Sequence, residues 1–402
     1  MSNTATPIGM PALAKMAFNG VDLAPLWNAL VGSFNARPDD AAALLDLSTI
    51  AQLQGRPQDG LALQSKALAL QRIYRRPAEV AGQQSLKLLA FMAPGDLMTN
   101  TPLEFLLEGS SIALDMMFVV PNAAIPAPPE HDVAMVAIDE SDQTQPILRE
   151  ISEVLHRWPR PIINRPHRIA RLTRSGVWDL LKSATAAFMP MNARIDRAKF
   201  SGVVRGDVSI EDLLGGNTYP IIARPFWSQG GSGLSKLESV TAVEDYLCKW
   251  TDPEFYIAPF IDYHSPDGLF RKYRIAMING VPFACHMAIS ENWIVHYLSA
   301  DMKISTANRA QERKFMATFD SDFAVKHATA FNEIADRIGL DYFQIDCSET
   351  PNGKLLVFEV GTAMIVHSMD SIDLFPYKRP QMKKVFTAFQ AMVHAAGRAS
   401  SC

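Results

Sequence analysis

Phe343-Gln-Ile-Asp346-Cys347, Pro351-Asn352-Gly353-Lys354 and Leu355-Leu-Val-Phe-Glu359 read together as an acidic hairpin. Asn-Gly between two apolar runs is the strongest short hairpin signal, a two-residue turn of the primed type. A turn centred on Asn352 and Gly353 sets Asp346 directly opposite Glu359, on one face, with Cβ atoms about 4.5–5.5 Å apart. Like charges so opposed repel, so a fold that places them there has reason to supply a cation. Oxygen ligands suit Mg²⁺, commonly held by one or two carboxylates plus substrate phosphates. The alternative is an exposed hairpin face on which two acids happen to meet.

Outward from this hairpin the pattern is mixed. A helix over 323–338 leads into it and another over 381–396 follows it. Upstream, Arg271–Ile278 and Val281–Ser290 are two strands joined by Asn279-Gly280, a second hairpin signal. Tyr219–Pro225 and Phe255–Ile261 are further apolar strands of antiparallel character. From Ser85 to Asn164 strands alternate with helices: 86–92, 112–120, 133–138 and 161–164, with helices at 102–109 and 145–158. Such alternation implies a parallel sheet covered on both faces. No GxGxxG follows its first strand, which argues against a dinucleotide site. Residues 1–82 differ again. Ala and Leu recur at helical spacing over 40–54 and 57–74, separated by Gly55-Arg-Pro57, an αα-hairpin resembling one tetratricopeptide unit. One unit falls short of a solenoid, so a helical cap on the rest of the chain or on a second subunit is expected, with a peptide groove as the sharper reading.

The totals bound the class. The 402 residues suggest two or three domains, and a 48% hydrophobic content is ample for buried cores. The 38 basic and 42 acidic residues leave a net charge of −4, which argues against nucleic acid as the main partner. The basic run from His156 to Arg174 reads as a solvated face or a phosphate-side wall. Four cysteines without CxxC or Cys/His spacing suggest neither a disulfide framework nor a zinc site, and with no visible signal peptide or membrane span a soluble, cytoplasmic protein is expected.

The remaining chemistry gathers at Tyr219–Leu234. Arg224 ends a strand, and Ser228-Gln229-Gly230-Gly231-Ser232-Gly233 follows. Glycines let backbone N–H groups approach phosphate oxygens, and a guanidinium adds a forked charge suited to phosphate. A plain surface loop is the alternative.

Together these segments resemble the ATP-grasp superfamily, of the glutathione-synthetase and RimK-like type, over roughly residues 85–400. The resemblance implies an α/β fold: a helical segment (1–82), a Rossmann-like preceding domain (83–187) and an ATP-grasp domain (188–402) with antiparallel sheets. The latter divides into a small lobe at about 188–258 and a large lobe at about 259–402. It implies ATP and Mg²⁺, two ions, as cofactors. Arg224 and Ser228–Gly233 would cover the triphosphate, and Tyr256, Ile257 and Ala258 of the hinge strand would hold the adenine. Arg274, with Arg271, would act on an acyl phosphate, while Asp346 and Glu359 would bind metal. Lys272, His286, Ser290 and His367 are candidate substrate contacts, although a core histidine and a helix cap are open readings of the two His. The activity implied is carboxylate–amine ligation through an acyl phosphate, on small-molecule or peptide substrates. A small-molecule kinase on this fold and a degenerate nucleotide-binding adaptor are the alternatives. A homodimer or protein partner would use the N-terminal helices; neither nucleic acid nor membrane is expected as a partner. Two departures stand out. Arg224 replaces the family's usual lysine, and Gly361 stands where the family's Glu-x-Asn pattern puts an asparagine, leaving a metal ligand to water or to a neighbour such as Asp370.

Overall fold

The computed structural model describes residues 6–80, 85–228, 231–297 and 300–398. It opens with α1 (Met10–Phe18), α2 (Ala24–Ala36), α3 (Ala41–Leu53) and α4 (Pro57–Leu70). Asp40 caps α3 by accepting from the Ala43 N–H, and Pro57 starts α4 where no intrahelical donor is lost. The helix expected to reach Tyr74 ends at Leu70. Ile73–Arg76 is instead strand β1, whose β-branched and aromatic residues pair with the next sheet.

That sheet contains β2 (Leu86–Met92), β3 (Ile112–Phe118), β4 (Val133–Val136) and β5 (Ile162–Ile163), in the order β1-β3-β2-β4-β5. β2 to β5 run parallel and β1 is an antiparallel edge. α5 (Leu103–Leu106), α6 (Gln145–Leu155), α7 (Pro166–Ile169) and α8 (Arg174–Leu181) complete this region. β2 is buried along almost its whole length rather than on alternate residues, as a strand covered on both faces must be. The chain turns one way from β2 to β3 and the other way to β4. Ligands favour the crevice beyond the carboxyl ends of strands at such a reversal.

A second sheet, β7-β10-β8-β9, is wholly antiparallel: β7 (Ala193–Asp196), β8 (Ile221–Pro225), β9 (Ser235–Leu237) and β10 (Glu254–Pro259). It carries α9 (Arg197–Arg205), α10 (Ile210–Leu213) and α11 (Val240–Lys249) around its own core, which includes Phe200, Tyr246 and Phe255. The third sheet runs β12-β11-β13-β14-β6, built from β6 (Ala187–Phe188), β11 (Phe270–Ile278), β12 (Val281–Ser290), β13 (Tyr342–Glu349) and β14 (Leu355–Gly361). α12 (Thr306–Thr318), α13 (Phe323–Lys326), α14 (Ala328–Ile338) and α15 (Lys378–Arg398) pack with it. The single helix expected over 323–338 is thus interrupted at His327, whose Nε2 bonds Glu349 at 2.7 Å. Asn164, fully buried beyond β5, joins the first and third sheets. Its Nδ2 donates to Tyr342 O at 2.7 Å and its Oδ1 accepts from Tyr342 N at 2.9 Å.

The two Asn-Gly hairpins differ. Asn279 and Gly280 both have positive φ, 48° and 77°, between the paired Ile278 and Val281, which is the expected two-residue turn. At the second, only Gly353 has positive φ, at 81°, and Gly353 N donates to Thr350 O. Pro351 takes the second position of a tight turn, and the connection spans three residues. This shifts the register of β13 and β14 by one near the turn, pairing Glu349 with Leu355. A bulge at Phe358 shifts it back, so Asp346 does face Glu359. The pairing follows from two offsets that cancel.

Candidate active site

Register places four polar side chains in one row across the third sheet. His286 of β12 pairs with Arg274 of β11, Arg274 with Asp346 of β13, and Asp346 with Glu359 of β14. A bulge interrupts each outer strand beside this row, at Cys285 and at Phe358. Bulges re-aim side chains and concentrate next to active sites. All four row residues line a cavity of about 1630 Å³ that also takes in the loops beyond β2 and β4 and the inner face of the second sheet.

Arg274 grips Asp346 bidentately, Nε to Oδ1 at 2.8 Å and Nη2 to Oδ2 at 3.0 Å, and Lys272 reaches Oδ2 at 2.9 Å. Burial alone would raise the Asp346 pKa, but the two cations outweigh it and hold the carboxyl well below its usual range. Glu359 is half exposed, and its Oε1 accepts from Arg174 Nη2 at 3.1 Å. Arg224 lies on the same cavity, its Nε 3.2 Å from Ser228 Oγ. Burial, followed by repulsion from Arg174, pushes this guanidinium down to about 10, with Glu359 opposing. The pocket floor thus holds Arg174, Arg224, Lys272 and Arg274 against Asp346 and Glu359, a surface suited to a polyanion.

Of the hinge residues, Tyr256, Ile257 and Ala258 line the cavity from β10, beside Ser228 and Gly231 of the glycine loop. Gln229 and Gly230 lie outside the described residues. Ser232 and Gly233 do not line the cavity; a Cβ on Gly233 would come within 2.4 Å of Pro225, so this glycine serves close packing. Arg271 and Ser290 are also absent from the lining. Strand alternation sends Arg271 away from Lys272 and Arg274, and its guanidinium binds Asp267 and Gln311. His286 stacks near Tyr297, ring centroids 4.5 Å apart, and burial with the neighbouring Arg274 drives its pKa well down. His367 lines the cavity too; its Nδ1 accepts from Met369 N at 3.1 Å and burial lowers its pKa. Cys285 is buried and its thiol is pushed up to about 12, unsuited to nucleophilic work.

Two groups escape the sequence reading. Arg174 was legible only as the end of a basic run, and its approach to Glu359 is set by the fold. Asp139, at the carboxyl end of β4, sits beside Gly361: a Cβ there would lie 3.6 Å from each Asp139 oxygen. Thr362 N and Oγ1 both donate to Asp139 Oδ1 at 2.8 Å, and burial pushes the carboxyl up to about 6. Asp370, the suggested replacement ligand, pairs with Lys378 at 3.1 Å.

This donor set does not make the two-ion centre that the resemblance implies. Both Asp346 oxygens are taken by protein cations, residue 361 offers no side-chain oxygen, and Asp139 is committed to Thr362. Among the described residues no three His, Cys, Asp or Glu side chains stand together as a metal group. Nor is any described helix long and apolar enough to cross a membrane.

Comparison with solved structures finds likenesses over most of the chain. VanG D-Ala:D-Ser ligase from Enterococcus faecalis is 12% identical with a TM-score of 0.47, covering 78% of this chain and 100% of its own. A RimK domain ATP-grasp protein from Sphaerobacter thermophilus is 14% identical at 0.41, covering 76% and 99%. The ATP-grasp ligase PsnB, in complex with precursor peptide PsnA2 and AMPPNP, is 13% identical at 0.41, covering 78% and 99%. The chain is similar in outline to ATP-grasp proteins. At these identities and scores, function has to be argued from the chain's own side chains. No protein-family model matches the sequence, and no curated protein does.

Proposed function

We propose that this protein is an ATP-dependent carboxylate–amine ligase that forms an amide through an acyl phosphate. The observation that carries the reading is the His286–Arg274–Asp346–Glu359 row, set with Lys272, Arg174 and Arg224 in a cavity walled by the 254–259 strand and the glycine loop. Arg174, Arg224, Lys272 and Arg274 line one cavity and would hold a triphosphate. A substrate carboxylate oxygen attacks its terminal phosphorus, the bond to the bridging oxygen breaks, and ADP leaves with the electron pair. The amine lone pair then attacks the acyl carbon. Arg274 stabilises the resulting oxyanion, phosphate departs, and the amine gives up a proton. Asp346 orients Arg274 by its two-point grip.

The test supplies ATP, N-acetylated amino acids as carboxylates, and hydroxylamine as a general amine. Hydroxamate, ADP and free phosphate are expected in equal amounts, with free phosphate appearing only when both partners are present. Arg274→Ala should lower the rate about 10²–10³-fold. ADP formed with a stable phosphorylated product and no free phosphate would overturn ligation in favour of a kinase.

A further inference from the structure

One wall of the cavity comes from the N-terminal helices. Met10, Ala14 and Phe18 recur every four residues along α1 and therefore share one stripe of that helix. All three line the cavity, together with Leu53 at the end of α3. The flank of α1 beside this stripe is used for anchoring: Leu13 is fully buried with Leu23 and Ile50. The start of the helix is tied down by side chains. Asp46 accepts from Ile8 N at 2.8 Å and Gly9 N at 3.1 Å, and Glu104, itself paired with Arg76 at 2.7 Å, accepts from Met10 N at 3.3 Å. The helix is thus held with its apolar stripe facing inward.

The stripe lies close to the reacting end. Arg274 Nη1 donates to Ile365 O at 3.4 Å, and two residues on, the His367 ring sits 6.0 Å from Phe18 and 6.4 Å from Phe105. Met98 and Met364 line the same cavity. The charged groups around it are already engaged. Asp96 accepts from its own turn at Met98 N and Thr99 Oγ1, Asp370 pairs with Lys378, and Lys303 lies 5.0 Å over the Phe18 ring. A small-ligand site typically encloses about 300–1,000 Å³, so the 1630 Å³ here leaves room beyond a nucleotide.

We propose that α1 is the specificity wall of the site, and that the recess between Phe18, Met98 and Met364 takes a large apolar or aromatic side chain on the substrate whose carboxylate meets Arg274. This rests on the ligase reading and adds the substrate class to it. The carboxylate is matched by Arg274 and Lys272, and the side chain by the stripe beyond Ile365.

Binding of N-acetyl-L-phenylalanine and of N-acetyl-L-aspartate is measured calorimetrically on the full chain with AMPPNP and MgCl₂. The phenylalanine probe is expected to bind at least about 10-fold more tightly, the scale on which apolar pockets discriminate. Phe18→Ala and Met98→Glu, the second on an exposed loop, should each remove most of that preference while AMPPNP affinity and the melting temperature hold. Equal binding of the two probes, binding of neither, or a preference untouched by both variants overturns the assignment. Hydroxamate formation, tested separately, decides the ligase reading itself: chemistry without the preference sinks only the recess, and the preference without chemistry sinks only the ligase.

Discussion

Asp346 and Glu359 face each other on β13 and β14, yet their charges meet different surroundings. Asp346 is nearly buried and shared by Arg274 and Lys272, whereas Glu359 is half exposed and reaches only Arg174 among the charge pairs described. The sequence made both acids visible, as well as Arg274 and Lys272, because strand alternation is readable from the residues themselves. It could not show that Arg274 and Lys272, two strands back along the chain, both reach Asp346. Asp139 and Arg174 were hidden for a simpler reason: their partners lie 223 and 185 positions along the chain. Beside Asp139, Glu140 gives a test at this scale. Burial, against the Gln145 hydrogen bond, pushes its carboxyl up from 4.5 to about 7. Its stabilising contribution is therefore complete below pH 4.5 and is lost as pH rises through 7. Glu140→Gln should gain on the order of 3 kcal/mol over wild type at pH 8 and nothing at pH 4, read from urea denaturation at the two values. A gain of equal size at both would show that the group does not titrate as argued.

At the scale of elements, the hairpins show what short-range signals carry. Asn279-Gly280 forms the turn expected of it, while Pro351 converts the second Asn-Gly into a three-residue connection. Turn chemistry alone would have left Glu359 one place out of register, and the bulge at Phe358 corrects this. Deleting Phe358 removes the extra residue and leaves Glu359, now next after Val357, still opposite Asp346 on an unbulged strand. Hydroxamate formation should therefore survive the deletion with the fold retained by circular dichroism; its complete loss would mean that the bulge itself, and not the pairing, sets the row. Helix ends were the less legible elements. Tyr74 is fully buried against the first sheet, a tertiary contact that outweighs the helical pattern of the residues before it. α1, which this reading makes a wall of the site, was missed because its nine residues carry only a short apolar stripe.

The whole molecule divides unevenly. The first sheet and most of the third share one continuous cluster, with Ala288 and Leu356 of the third in a smaller one, whereas the second sheet has its own, from Ile195 to Ile257. A lobe with a separate core can open with its own free energy. Amide hydrogen exchange should show β8 and β10 opening as a unit distinct from β2 and β13, and AMPPNP should slow that unit most; one common rate for all four strands would argue against a moving lobe. The continuous cluster owes much to α15. Its Phe389 ring packs 4.9 Å from Tyr342, Gln390 donates to Leu106 O at 3.1 Å, and Gly397 lets the helix pass Leu86 where a Cβ would come within 2.3 Å. The helix that covers both sheets is thus the last of the described elements to leave the ribosome. At a synthesis rate of about 5–20 residues per second, the roughly 300 residues between β2 and Phe389 leave the apolar faces of the first sheet uncovered for about 15–60 s. Neither sheet can finish folding before this helix has been made, and a nascent chain stalled ahead of it presents both as a substrate for chaperones.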